Sequence, residues 1–368
     1  MPKKIRPFDT FIFGSVITLV LGGFLIFMSA SLGLLAQEGK ELSSIAVNQF
    51  FLGLVGGVIA LLVVSFIPYR IYRKYALHLY VIALFITLLV FIPGIGLELN
   101  GARRWLNLGI TTFQPTELLK IGYVLYLGAW LSGRRGKALE KPSEGLLPFA
   151  GITGIVAVVL LLQPDTGSLL VIGAAGLAMF IAAGARIKDI AILALVTIIA
   201  LGSLVMVRPY LLDRIKTFLD PGSDPFGSSY QIRQSLLAVG SGQVFGRGFG
   251  QSVQKFNYLP EPTSDSIFAV FAEEFGFFGA VILIFAFVLF GLRGLWVAAR
   301  TPDMFGGLVA VGIVILVVSQ SFLNIGSMLA IVPLTGLPLI FISHGGSALF
   351  LSLASIGILL NISRSKQS

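Results

Sequence analysis

Long apolar runs separated by short polar segments dominate the chain. A helix needs about 20 mostly apolar residues to cross about 30 Å of hydrocarbon, where only a helix or a closed barrel satisfies the backbone hydrogen bonds. The pattern predicts an all-α, polytopic integral membrane protein with one domain over residues 1–368. The ten predicted spans are 11–35, 45–68, 75–93, 115–133, 146–163, 168–185, 189–207, 267–299, 305–333 and 344–363.

Composition agrees with this fold class. Hydrophobic residues make up 56% of the 368 residues and charged residues only 12%, whereas a soluble domain has about 25% charged residues. A soluble globule of this length could not bury so much apolar surface, which excludes a cytosolic enzyme and a disordered chain. The chain has no cysteine and two histidines, which excludes disulfides and argues against a zinc or haem centre.

The net charge of +9 is explained by topology rather than by a nucleic-acid partner. Lys and Arg collect in the cytoplasmic loops of membrane proteins. With the N-terminus inside, the inner segments hold 16 of the 26 basic residues. These are Lys3, Lys4, Arg6, Arg70, Arg73, Lys74, Arg134, Arg135, Lys137, Lys141, Arg186, Lys188, Arg293, Arg300, Arg364 and Lys366. We expect both termini in the cytoplasm and the loop 208–264 on the outer side.

Two outer loops are long enough to carry function. The loop 208–264 is rich in Pro, Gly, Asp and Ser, and loops of this length are commonly functional. Within it, residues 228–239 place apolar side chains at near-helical spacing, which predicts a short amphipathic helix on the outer membrane surface. A second loop, 94–114, holds a polar cluster at 100–107.

Ionisable residues inside spans are costly and therefore become functional candidates. Glu117 and Lys120 stand at i, i+3 spacing on one helix face, either as a charged cavity wall or as a structural pair. Glu273 and Glu274 lie inside the eighth span and point about 100° apart, so at least one must face protein or water. Asp265, at the outer start of that span, could be a helix cap, a general base or a metal ligand.

Other polar groups on the outer side have a structural interpretation beside a functional one. Asp165 is expected to cap the sixth span. Arg103 and Arg104 suit bidentate phosphate recognition, but the residues alone favour a pair that snorkels beside an interfacial tryptophan. The segment 343–347 opens the tenth span with residues whose backbone N–H groups could bind an anion, or it is a helix-breaking turn.

Several segments together resemble the SEDS family of peptidoglycan polymerases, which includes FtsW and RodA. They are 101–109, 113–120, 163–167, 230–235, 258–265, 273–276, 333–339 and 343–347, in the family's order. Residues 218–221, 230–231 and 250–256 place the chain closer to the FtsW branch than to the RodA branch. The resemblance covers about residues 8–364.

The resemblance implies inverting transfer of glycosyl units from lipid II, at the outer face of the bacterial cytoplasmic membrane. It makes Asp265 the catalytic residue, either as general base or as ligand of a divalent cation, Mg or Mn. The implied substrate-binding residues are Arg103, Arg104, Glu117, Lys120, Glu261, Ser343, Gly345, Gly346 and Ser347. The implied partners are a class B penicillin-binding protein (a transpeptidase), other divisome membrane proteins and membrane lipids, and the implied location is the division septum.

Three alternatives stay open beside septal synthesis: an elongation polymerase of the RodA type, a lipid II transporter without chemistry, and a scaffold for the transpeptidase. The chain also departs from the usual family pattern. Thr263 and Ser266 stand where the family commonly has His and Phe, and His344 replaces a Tyr. A mechanism assisted by the missing His therefore cannot be assumed.

Overall fold

The computed structural model describes residues 7–33, 46–99, 102–109, 111–134, 141–220 and 229–365, without the side chains of Leu99, Pro209 and Tyr210. Some residues used in the sequence predictions lie outside these ranges. Among them are Lys3, Lys4, Arg6, Asn100, Gly101, Arg135, Lys137, Pro221, Ser228 and Lys366.

The described part of the chain is mainly helical. Its helices are α1 (Thr10–Ser31), α2 (Gly57–Phe66), α3 (Tyr69–Leu88), α4 (Pro115–Ser132), α5 (Leu146–Leu162), α6 (Thr166–Ala182), α7 (Ile187–Val207), α8 (Pro209–Leu219), α9 (Tyr230–Ser241), α10 (Ile267–Ala299), α11 (Met304–Met328) and α12 (Gly346–Ser363). A π-helical stretch, Gln49–Gly56, leads directly into α2. All except α8 and α9 coincide with predicted spans, which confirms the all-α membrane fold.

Length separates the spans into two groups. Seven helices in the described ranges are long and apolar enough to cross a membrane, among them α1, α7, α10, α11 and α12. The apolar helices α5 and α6 have 17 residues each, and α4 has 18 residues with a charged pair in its first turns. α11 and α12 are largely buried in the bundle, whereas the most apolar stretch of α7 has no buried residue and faces outward.

The boundaries of the last two predicted spans are wrong by several residues. α11 ends at Met328, and α12 begins only at Gly346. Between them, residues 329–345 form an irregular segment, here called the α11–α12 loop, that contains Pro333 and Pro338. Proline lacks a backbone donor and disfavours helix in the residue before it, so the helix cannot extend through this loop.

The loops between the spans contain regular structure that the apolar pattern does not predict. Three short strands, β1 (Gly96–Leu99), β2 (Ala102–Asn107) and β3 (Thr112–Phe113), form a small antiparallel sheet in the order β1-β2-β3. The helix predicted at 228–239 is confirmed as α9, but Ile232 is fully buried while Leu237 is exposed. α9 packs on α10 within the protein.

α10 is a broken helix. Gly276 has φ 66° and ψ −165° inside its 33 residues, so the chain changes direction there. A side chain on Gly276 would bring its Cβ to 2.3 Å from the backbone nitrogen of Gly246, which explains why glycine stands at this point. Glu273 and Glu274, just before the break, are both buried in protein, as the sequence predicts for at least one of them.

Candidate active site

Asp265 lies in the loop between α9 and α10, one residue before the cap of α10. The N-cap residue is Ser266, so the interpretation of Asp265 as a helix cap is wrong. Asp265 is partly exposed. Burial raises the pKa of its carboxyl above the ordinary value, and the neighbouring Glu261 carboxylate adds to the rise. Hydrogen bonds from its own backbone and from Ser264, together with the charge of Arg214, oppose that rise.

Asn324 of α11 holds the main chain of Asp265. Its Nδ2 donates to the carbonyl oxygen of Asp265 at 2.7 Å and to that of Leu337 at 2.7 Å. Asn324 is completely buried. A single side chain therefore connects the segment that carries Asp265 to the α11–α12 loop.

The end of the α11–α12 loop adds two further ties to the same segment. Ser343 Oγ donates to the carbonyl oxygen of Ser264 at 2.6 Å, and the backbone nitrogen of His344 donates to that of Thr263 at 2.7 Å. The imidazole of His344 stacks on Phe27, with ring centroids 5.9 Å apart. Burial lowers the pKa of the His344 imidazole below its ordinary value.

Arg214 of α8 brings positive charge to this site. Its Nη1 donates to the carbonyl oxygen of Leu334 at 2.9 Å. A methyl group on Gly336 would lie 3.8 Å from Asp265 Oδ2 and 4.0 Å from Arg214 Nη2, so both charged groups border the space beside Gly336. Arg214 carries no signal in the sequence that would mark it as a site residue, because the apolar pattern does not predict α8.

Glu117 and Lys120 form a buried ion pair that is connected to the same loop. Lys120 Nζ lies 2.7 Å from Glu117 Oε1 and donates to Gln320 Oε1 at 2.6 Å. Gln320 Nε2 then donates to the carbonyl oxygen of Pro338 at 3.0 Å. Glu117, Lys120 and Gln320 line a small cavity together with Ser352 of α12 and other residues. Glu117 and Lys120 thus form a structural ion pair and at the same time part of a cavity wall, the two interpretations that the sequence allows.

Gln320 and Asn324 are the residues that sequence reasoning missed on α11. They stand four residues apart, on one face of a mainly apolar span. Polar side chains in a span that share a face commonly point into protein or a polar cavity. This four-residue spacing of two polar side chains was the sequence signal that could have identified both as site residues.

The motif 343–347 is anchored to the π-helical stretch and to α4. Gln49 Nε2 donates to the carbonyl oxygen of Ser343 at 3.2 Å, and the backbone nitrogen of Gly345 donates to Gln49 Oε1 at 3.0 Å. Gly346 packs beside Asn48. Ser347 Oγ accepts a long hydrogen bond of 3.4 Å from the backbone nitrogen of Gln114. These contacts fix the start of α12 close to the outer end of α4.

The two arginines of β2 have different environments. Arg103 pairs with Glu98 across the exposed sheet at 3.0 Å. Arg104 Nε donates to the carbonyl oxygen of Gln163 at 3.2 Å, and its Nη2 donates to that of Pro164. Asp165 accepts from the backbone nitrogen of Ser168 at 3.1 Å, which confirms it as the cap of α6. Arg104 is thus the arginine that is fixed next to the bundle.

Asp265 and Glu261 are two carboxylates that lie close enough to interact electrostatically. Protein sites for Mg²⁺ commonly use one or two carboxylates together with substrate phosphates. Within the described ranges, no group of three or more His, Cys, Asp and Glu side chains is arranged to hold a metal. A cation held by these two carboxylates would therefore need further ligands, such as the phosphates of a substrate.

Comparison with known proteins agrees with this architecture. A family model described as a cell cycle protein, for FtsW, RodA and SpoVE, matches residues 9–368. Stage V sporulation protein E of Bacillus subtilis (strain 168) is 40% identical over 308 residues, covering 84% of each chain. A probable peptidoglycan glycosyltransferase FtsW of Geobacter sp. (strain M18) is 36% identical over 361 residues, covering 98% of each chain.

Two solved structures share the fold along almost the whole chain. A chain from a peptidoglycan synthase complex, described as coordinating polymerization and crosslinking, has a TM-score of 0.78 at 28% identity and covers 98% of both chains. The rod shape determining protein RodA of Thermus thermophilus has a TM-score of 0.70 at 28% identity, again covering 98% of both. The protein therefore belongs to the FtsW, RodA and SpoVE family, the SEDS family of its motifs.

Proposed function

We propose that this protein is a peptidoglycan glycosyltransferase that polymerises lipid II into glycan strands at the outer face of the cytoplasmic membrane. The observation that carries the proposal is Asp265, a carboxyl with a raised pKa whose backbone carbonyl is held by Asn324. A base works best when its pKa lies near the working pH, so the rise suits a proton acceptor. The relatives named as probable peptidoglycan glycosyltransferases support the same activity.

In the proposed reaction, the 4-hydroxyl oxygen of an acceptor sugar attacks the anomeric carbon of the donor. Asp265 accepts the hydroxyl proton while the bond from the anomeric carbon to the diphosphate oxygen breaks, and undecaprenyl diphosphate leaves. Attack from the opposite face inverts the anomeric centre. Negative charge builds on the leaving diphosphate, and Arg104, Lys120 and Arg214 supply positive charge for it.

Where a divalent cation takes part, Asp265 and Glu261 would hold it, and it would supply neutralising charge to the diphosphate. Glu117 holds the Lys120 side chain in place through their 2.7 Å contact. Arg103 is paired in the exposed sheet, and we assign it a smaller role than Arg104.

We propose septal wall synthesis as the cellular process, with the division septum as the location and both termini in the cytoplasm. The FtsW names of the relatives that match 98% of this chain support the septal role. An elongation role is the alternative, supported by the fold of RodA. A fluorescent fusion separates them, because septal synthesis predicts a midcell band and elongation predicts lateral-wall foci.

A class B penicillin-binding protein is the proposed partner, and other divisome membrane proteins complete the proposed assembly. The fold match to a chain of a peptidoglycan synthase complex supports a partner that crosslinks. The experiment is a polymerisation assay with the purified protein, the transpeptidase and lipid II, with and without Mg²⁺ or Mn²⁺. Glycan strands made only when this protein is present support the proposal. Movement of fluorescent lipid II across vesicles without any polymer would instead support a transporter.

A further inference from the structure

A buried ion pair fixes the loop that precedes Asp265. Lys255 Nζ lies 2.8 Å from Glu274 Oε1, and both side chains are completely buried. Ser29, near the outer end of α1, donates to Glu274 at 2.6 Å and accepts from Lys255 Nζ at 3.0 Å. The pair therefore joins three parts of the protein: α1, the loop after α9 and α10.

The neighbouring carboxylate, Glu273, holds the same loop by its backbone. Ser252 Oγ donates to Glu273 at 2.5 Å, and the backbone nitrogens of Val253 and Gln254 donate at 3.1 and 3.2 Å. Arg247 lies 3.5 Å from the same carboxylate. We call the set Ser29, Ser252, Lys255, Glu273 and Glu274 the loop clamp.

The break in α10 makes the loop clamp possible. The carbonyl oxygens of Glu273 and Glu274 accept from the backbone nitrogens of Arg247 and Gly248, both at 3.0 Å. These carbonyls are available because the backbone leaves the helical conformation at Gly276. The loop thus replaces helical hydrogen bonds that the kink removes.

Only a short segment separates the loop clamp from Asp265, and that segment is itself folded. The backbone nitrogen of Leu259 donates to the carbonyl oxygen of Gln254 at 2.8 Å, and Leu259 is buried. The backbone nitrogens of Ser264 and Ser266 both donate to the carbonyl oxygen of Glu261, at 3.1 and 3.2 Å. A shift at the loop clamp would therefore be transmitted to Asp265.

We infer that the loop clamp positions Asp265, which makes Lys255 and Glu274 positioning residues for the reaction, an inference that rests on the proposed function. A buried ion pair commonly adds little net stability compared with apolar residues of the same size, although it can specify one geometry. Stability alone is therefore a poor explanation for a fully buried lysine at this place.

The test is the double variant Lys255→Met/Glu274→Gln, which removes both charges and leaves neither partner as an unpaired buried ion. We expect kcat for glycan synthesis to fall about tenfold while KM changes less than about twofold, because small misplacements of a catalytic group lower the chemical rate. Backbone hydrogen exchange in the segment 256–266 should become faster, and the melting temperature should stay near that of the wild type.

The matched control is an ion pair that connects the start of α1 with the far end of α10. Arg293 lies 2.8 Å from Asp9 at the opposite ends of these helices. Asp9→Asn/Arg293→Met should leave kcat and exchange in 256–266 unchanged. Wild-type kcat or wild-type exchange of 256–266 in the loop-clamp variant would overturn the inference. If the wild type makes no glycan with its partner, the proposed function fails, and the exchange measurement alone still decides whether the loop clamp holds this segment.

Discussion

The side-chain amide of Asn324 donates at 2.7 Å to the carbonyl oxygen of Asp265 and at the same distance to that of Leu337. One turn earlier on α11, Gln320 donates to the carbonyl oxygen of Pro338 and accepts from Lys120. One face of α11 thus holds the α11–α12 loop and connects it to both charged parts of the site. The geometry around Asp265 depends on this face as much as on the outer loop.

Replacing Asn324 with leucine should lower activity strongly. The variant keeps the same branching of the side chain but leaves two buried carbonyl oxygens without this donor, at a cost of about 1–3 kcal/mol for each. We expect glycan synthesis to fall about tenfold or more, because the backbone of Asp265 loses its support. Initial rates of strand synthesis measure the effect.

The control for Asn324 is Ser321→Ala on the same helix. Ser321 is equally buried, and its Oγ donates to the carbonyl oxygen of Val317 within α11, at 2.8 Å. This variant should keep most of the wild-type rate. Equal rates for Asn324→Leu and Ser321→Ala would refute the supporting role of Asn324.

Breaking the Glu117–Lys120 pair should affect stability and activity differently. Lys120→Met leaves Glu117 buried without its cation, and removal of one partner from a buried pair typically costs about 3–5 kcal/mol. Glu117→Gln/Lys120→Met should recover most of that stability, since no unpaired charge remains. It should not recover activity, because the positive charge is still absent. Thermal melts and initial rates on the same preparations separate the two effects.

Lys141 and Glu144 provide the matched comparison for this pair. They have the same i, i+3 spacing and a contact of 3.1 Å, but their side chains are largely exposed. Exposed pairs contribute about 0–1 kcal/mol, so Lys141→Ala should leave melting and rate nearly unchanged. A large loss of stability or rate in Lys141→Ala, or no loss in Lys120→Met, would contradict burial as the reason why the Glu117–Lys120 pair matters.

A side chain at Gly336 should impair activity beyond its effect on folding. Gly336 has φ +65°, a conformation that costs an alanine roughly 1 kcal/mol. Gly336→Ala also places a methyl group between Asp265 and Arg214. Gly94 has φ +86° with open space around it, so Gly94→Ala carries the backbone cost alone. We expect similar melting temperatures for the two variants and a reduced rate only for Gly336→Ala; equal rates would show that the space beside Gly336 is not used.

The raised pKa of Asp265 predicts a pH-dependent gain in stability for Asp265→Asn. Because burial disfavours the ionised form, the wild type loses stability as the pH rises through the folded-state pKa. Below the ordinary carboxyl pKa of about 3.9, the side chain is protonated in both folded and unfolded chains, and this penalty is absent. The asparagine variant should therefore be more stable at neutral pH, with a gain that disappears on acidification. If the stabilities of the wild type and of Asp265→Asn changed in parallel across this pH range, the raised pKa of Asp265 would be contradicted.

Hydropathy predicted the helical bundle because a span depends on local apolar length alone. It placed Glu117, Lys120 and Asp265 correctly on the elements that carry them. The sheet around Arg103 and Arg104 and the helix that carries Arg214 were not predicted, since short polar segments have no comparable periodic signal. The break at Gly276 also stayed hidden, because a single glycine in an apolar run is equally compatible with a straight helix.

The partners of the site residues were the least predictable part. Gln49, Gln320 and Asn324 act by hydrogen bonds to backbone groups of distant segments. Sequence spacing does not show which backbone groups these side chains contact. Lys255 lies before Asp265 in the sequence and Glu274 lies after it, and only the fold shows that the two side chains pair.

The central claim is tested most directly by the rate of glycan-strand synthesis from lipid II by the wild type and by Asp265→Asn. Each is purified together with the same class B penicillin-binding protein. Loss of a general base typically lowers a rate by about 10²–10⁴-fold. We predict strand synthesis by the wild type and a rate at least about 10²-fold lower for the folded variant. Strand synthesis by Asp265→Asn at the wild-type rate would contradict the assignment of Asp265 as the catalytic residue.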